Sequence, residues 1–175
     1  ELMKLDPKKL RRLNNLASNQ KFLNLVIENV SMMLSHIEKK YMNSVILNYD
    51  KDSNDLFLWY QQLVAESLGK KGKGVLPIIS LMPKDNHSVM QYYLDGPKNY
   101  FFTFFFVKEK NSQKINNTQI LDSHFFLKNK NLNDICYSQF VATQKVFKKK
   151  KFHLGVFILK IEMKRSWESF SLSLY

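Results

Sequence analysis

The sequence predicts an α/β protein, a three-layer α-β-α sandwich built on a mostly parallel sheet. Three observations lead there. Four short apolar runs rich in β-branched and aromatic residues recur along the chain, each suited to a strand buried on both faces. Segments with apolar residues at helical spacing alternate with them, which is the pattern of parallel strands joined by crossover helices. The chain is also long enough to bury a core. Its 175 residues, 45% hydrophobic and 14% aromatic, fit one domain, expected over 1–175 with no internal boundary.

The elements follow in order. Asp6-Pro7-Lys8-Lys9 supplies an acidic N-cap and a proline at the first helical position, and Leu10, Leu13 and Leu16 continue at helical spacing, so a short helix opens the chain. From Asn19 to Lys40 a long amphipathic helix is expected, with Phe22, Leu25, Val26, Asn29, Met32, Met33 and His36 on one face. Ser44 to Tyr49 reads as the first buried strand. Asp52-Ser53-Asn54-Asp55 then offers N-caps to a helix running through Trp59 and Leu63 to Leu68, where Gly69 ends it. Pro77 to Met82 is the second strand, followed by a helix from about His87 to Leu94 that Asp95-Gly96-Pro97 stops. Tyr100 to Val107 is the third strand, Asn111 to Thr118 a polar loop, Leu132 to Lys148 a helix, and His153 to Ile161 the fourth strand. In such sheets ligands lie beyond the carboxyl ends of the strands, so the residues there are the first to inspect.

Composition narrows the function. With 27 Lys+Arg against 15 Asp+Glu the formal net charge is +12, which raises the question of nucleic acid. Only Arg11, Arg12 and Arg165 are arginines, and no zinc-finger, ribonucleoprotein or helix-turn-helix spacing appears. Apart from Lys148-Lys149-Lys150-Lys151 and Lys70-Lys71-Gly72-Lys73 the lysines are scattered. They read as solvated faces or as attraction for a small anionic substrate, and no nucleic-acid partner is expected. The single cysteine, Cys136, has no partner for a disulfide and fits a reducing compartment. The longest apolar run, Tyr100 to Val107, falls well short of the roughly 18 residues of a membrane span, so a cytoplasmic protein with no membrane partner is expected. The chain starts on Glu1 and stops on Tyr175 with no cap or turn signal, and reads as a piece of a longer protein.

Two segments, read as placing Glu66 and His87 at strand carboxyl ends, could carry chemistry. In the first, Gln62 and Glu66 lie four apart on one helix, so they share a face and can reach one ligand. Glu66 is also in the last turn, at the negative end of the helix dipole, a position that suits a group that takes up a proton. Spacing alone leaves two readings for it, a proton-transfer group or a solvated carboxylate paired with Lys70. Gly69, Gly72 and Gly74 follow without the spacing of a phosphate loop or a dinucleotide fingerprint, and read as a mobile loop. In the second segment His87 follows a strand and opens a helix, where it is either an acid-base group or a capping and packing residue. His36, His124 and His153 have no partners at metal-ligand spacing, so no metal site is expected.

Taken together the two segments are more specific. Gln62-Leu63-Val64-Ala65-Glu66-Ser67-Leu68-Gly69-Lys70 with Lys71-Gly72-Lys73-Gly74, then Asp85-Asn86-His87-Ser88, Gln91 and Leu94-Asp95-Gly96-Pro97, closely resemble the glucose-6-phosphate isomerase family, in the second of its two sugar-isomerase (SIS) domains. The likeness is strong from Asn43 to about Phe105, weaker before Asn43 and loose after Asn111. It implies a flavodoxin-like SIS fold and a homodimeric cytoplasmic enzyme of glycolysis and gluconeogenesis. The reaction implied interconverts glucose 6-phosphate and fructose 6-phosphate through a cis-enediol, with no cofactor. By the same likeness Glu66 is the base that moves the proton, His87 assists ring opening in the site of a neighbouring subunit, and Gln62 binds substrate. The family's Ser/Thr-rich phosphate cradle, its arginine motif and its C-terminal lysine motif have no counterpart here, so the piece alone is expected to be inactive. A non-catalytic sugar-phosphate-binding module of the same fold is the alternative.

Overall fold

The computed structural model describes residues 11, 15, 18–109, 112, 114–115, 120–161 and 170–174. They fall into two compact units, Glu1–Lys40 and Tyr41–Tyr175. In the first, helix α1 spans Gln20–Glu38. The Asn19 side chain caps it by accepting from the Phe22 N–H at 3.1 Å, which satisfies one of the amides a helix start leaves orphaned. Leu25, Asn29, Met33 and His36 are among its less exposed positions, whereas Phe22, Val26 and Met32 are exposed. The helix expected from Asp6 lies largely outside the described residues.

The second unit is a five-stranded sheet of order β2-β1-β3-β4-β5. The strands are β1 (Asn43–Asn48), β2 (Leu76–Leu81), β3 (Tyr100–Glu109), β4 (Leu154–Ile161) and β5 (Phe170–Leu174), and the helices are α2 (Asn54–Leu68), α3 (Met90–Asp95) and α4 (Leu132–Lys149). The first four strands are parallel, so each connecting helix must run back from the carboxyl edge of the sheet to its amino edge. Chain order reverses across the sheet between β1 and β3, the switch point of a doubly wound fold.

Side-chain alternation along the strands sorts the two faces. Val45 pairs with Ile78 and Phe102, and Leu47 with Ser80 and Phe104; these residues face α3 and α4. There Phe102 meets Phe147 edge-on at 4.8 Å and Tyr93 at 5.5 Å, and Phe104 meets Phe140 at 5.8 Å. Such ring pairs contribute about 0.5–1.5 kcal/mol each beyond the area they bury. The Ser80 and Tyr93 hydroxyls, buried on this face, satisfy each other at 2.8 Å. The opposite face meets α2, where Phe57 stands edge-on to Phe105 at 4.8 Å. Helices therefore cover both faces, and the expected three-layer α-β-α sandwich on a mostly parallel sheet is the fold.

Three departures have local causes. Strand β3 runs two residues past Val107, because Lys108 and Glu109 still pair with Lys160 and Ile161 of β4; the ladder outlasts the apolar run. The edge strand β5, antiparallel to β4, was not expected. Its Phe-Ser-Leu-Ser-Leu sequence alternates apolar and polar residues and lacks the continuous apolar run by which the other strands are read. The helix expected from His87 begins only at Met90, after a 3-10 turn over Lys84–Asn86. The Asp85 carboxylate accepts from the Leu81 N–H at 2.8 Å, and this side-chain bond to backbone holds the chain against the strand end and competes with regular helix.

Candidate active site

Helix α2 carries Gln62 and Glu66 on one exposed face. The helix starts beyond the end of β1 and returns to the start of β2, so its last turn lies at the amino edge of the sheet. Glu66 therefore does not stand at a strand carboxyl end, as expected, but at the opposite edge. Among the described residues its carboxylate has no hydrogen-bond or ion-pair partner, Lys70 included. Leu56, Trp59 and Leu63 are exposed on the same side of α2, Trp59 by 59%, so Gln62 and Glu66 are set in an uncovered apolar strip.

Backbone geometry fixes the Glu66 turn. Gly69 caps α2, donating its N–H to the Ala65 carbonyl at 3.0 Å. The chain then reverses in a tight turn closed by the Lys73 N–H to the Lys70 carbonyl at 3.0 Å. Both central residues, Lys71 (φ 54) and Gly72 (φ 70), are left-handed, as in a type I′ turn. The segment expected to be a mobile loop thus has a defined hydrogen-bonded turn at its centre. Gly74, at φ 124, brings the backbone against the end of α2. One turn earlier the Gln61 amide donates to the Pro77 carbonyl at 2.7 Å and ties α2 to β2. Sequence reading passed over Gln61, since nothing in a Gln-Gln pair marks which member bonds the sheet.

His87 follows β2 at the carboxyl edge, exposed, with its N–H donated to the Lys84 carbonyl at 3.3 Å. Asp85 anchors this segment, and Ser88 bonds back to Asp85. The structure does not bring His87 and Glu66 together. They lie at opposite edges of a six-residue strand, a span of about 20 Å, with Glu66 on the α2 face and His87 leading into α3 on the other. One chain cannot close both around one small ligand.

The switch point itself holds Asn48, wholly buried, whose side-chain oxygen accepts from the Asp50 N–H at 2.9 Å. Beside it burial pushes the Tyr49 phenol up to about 12. Neither was singled out from sequence, because an Asn-Tyr pair closing a strand reads as packing. Burial also raises the Cys136 thiol, the direction that disfavours the nucleophilic thiolate. Among the described residues no group of His, Cys, Asp or Glu could hold a metal ion, and no helix is long and apolar enough to cross a membrane. At the amino edge Lys150 pairs with Asp95 at 2.6 Å, and the Lys150 ammonium holds the Asp95 carboxyl below the usual carboxylate range.

No family model matches the chain. Curated proteins do. It is 42% identical over 66 residues to glucose-6-phosphate isomerase of Methanocaldococcus jannaschii, covering 38% of this chain and 16% of that protein. A probable glucose-6-phosphate isomerase of Methanococcus maripaludis is 35% identical over 129 residues, covering 70% and 28%. Glucose-6-phosphate isomerase of Campylobacter jejuni is 33% identical over 141 residues, covering 75% and 33%. The chain thus spans a third or less of the length of these relatives. A hypothetical protein of Thermus thermophilus superposes with a TM-score of 0.74 at 21% identity, over 85% of this chain and 37% of that one, which supports the fold.

Proposed function

This chain is related to one segment of the glucose-6-phosphate isomerases, and we propose that it is the catalytic half of a site that interconverts glucose 6-phosphate and fructose 6-phosphate. In this reading Glu66 takes a proton from the carbon beside the substrate carbonyl and returns it to the neighbouring carbon through a cis-enediol. Gln62, one turn before it, holds the sugar. His87 exchanges the proton that opens the ring. All 175 residues are assigned to one truncated SIS domain of a cytoplasmic homodimer, and no cofactor takes part.

The observation that carries the proposal is the pairing of Gln62 and Glu66 on an exposed helix face in a chain whose curated relatives bear that enzyme's name. The separation of Glu66 from His87 supports a site shared between two copies, each lending its histidine to the other. The uncovered strip of Leu56, Trp59 and Leu63 supports a Glu66 face that further protein covers. The family's Ser/Thr-rich phosphate cradle has no counterpart in this sequence, and remote binding energy of that kind is what drives such chemistry. The isolated 175 residues are therefore expected to be inactive.

The test is a coupled assay of fructose 6-phosphate conversion, run on this chain and on the chain extended by the flanking segments its relatives carry. Turnover in the extended protein alone is the expected result. A folded, dimeric extended protein with no turnover contradicts the proposal and favours a sugar-phosphate-binding module without catalysis.

A further inference from the structure

We infer that Gly74 and Gln61 are positioning residues for Glu66, holding the last turn of α2 at the height and rotation that proton transfer needs. The inference rests on the reading of Glu66 as the base. It starts from the fact that the Glu66 side chain is exposed and makes no bond among the described residues, so among them the backbone of its own turn is what sets where the carboxylate stands.

That turn is held by contacts of unusual closeness. A methyl group placed on Gly74 would stand 2.7 Å from the Leu68 oxygen, 2.9 Å from the Leu68 carbonyl carbon and 3.0 Å from the Gly69 Cα. All three neighbours are backbone atoms, and none can move without moving the end of α2. The φ of 124 at Gly74 is itself a conformation that side-chain-bearing residues rarely adopt. Gly69 repeats the device on the other side of the turn, where a methyl would stand 2.5 Å from the Ala65 oxygen. Gln61 adds the third restraint through its bond to the Pro77 carbonyl, which fixes the rotation of α2 against β2. Gly72 is the contrast within the same loop. It is left-handed too, but nothing lies within 4 Å of its would-be methyl, so it shapes the turn without touching α2.

The experiment measures kcat and KM for fructose 6-phosphate in the extended protein, with unaltered and Glu66→Gln forms as references. Gly74→Ala is expected to lower kcat about 10²-fold, the effect of displacing a reacting group by about 1 Å, with KM within about twofold. Gln61→Met, which keeps length but loses the donor, is expected to lower kcat about 3–10-fold, and Gln61→Lys, which restores a donor, to recover most of it. Gly72→Asn, tolerant of the left-handed conformation, is expected to leave both constants unchanged. Unaltered kcat in Gly74→Ala overturns the inference, as does a loss confined to KM. Should Gly74→Ala not fold, Gln61→Met decides alone, and an unchanged kcat there overturns it. An active Glu66→Gln form would instead remove the base assignment on which the inference stands, so the two failures are distinct.

Discussion

Glu66→Gln in the extended protein lowers isomerisation by about 10³-fold, within the range that a positioned acid-base group supplies, and leaves the fold intact. The amide is nearly the size of the carboxylate and can bind sugar hydroxyls, but it cannot accept the substrate proton. Because Glu66 is exposed and unbonded among the described residues, the change removes no hydrogen bond or ion pair among them, and the thermal midpoint should stay within a degree or two. KM should change little. A drop in activity that tracks a drop in stability would point to a structural role instead, and retained turnover would remove the assignment.

The second large effect is on stability. Phe104 is completely buried at the centre of the sheet, edge-on to Phe140 at 5.8 Å and Phe147 at 5.5 Å. Phe104→Ala strips the contact between β3 and α4 and leaves a cavity that rigid neighbouring rings cannot fill. A loss of about 3–5 kcal/mol is expected, a large share of the 5–15 kcal/mol that keeps a typical domain folded. Urea unfolding should show a lower midpoint with an unchanged slope. A loss below about 1 kcal/mol would mean that this face is not the tightly packed core described above.

These two residues also show what was legible in the sequence. Phe104 sits in the longest apolar run, and such a run between polar segments has few solutions other than a buried central strand, so the parallel core and its covering helices could be read directly. β5 escaped because an edge strand shares its hydrogen bonds on one side only and needs no continuous apolar stretch. For the site, the spacing of Gln62 and Glu66 gave their common face, since a helix fixes i and i+4 on one side whatever surrounds it. Their place at the amino edge was not legible from the spacing. It depends on the direction in which α2 crosses back, and the rule that sites follow strand carboxyl ends misplaced Glu66. The start of α3 was misread for a related reason, since the bond from Asp85 to Leu81 joins residues on two sides of a turn and leaves no periodic trace.

The opposite-edge placement gives the central claim its most direct measurement. Glu66→Gln and His87→Ala extended proteins, each inactive alone, are mixed, dissociated and allowed to reassociate. If each site takes its base from one copy and its histidine from the other, a mixed dimer contains one site with both residues intact. Random pairing makes half the dimers mixed, so about a quarter of the unaltered activity should return. No recovery in verified mixed dimers would contradict a site shared across copies.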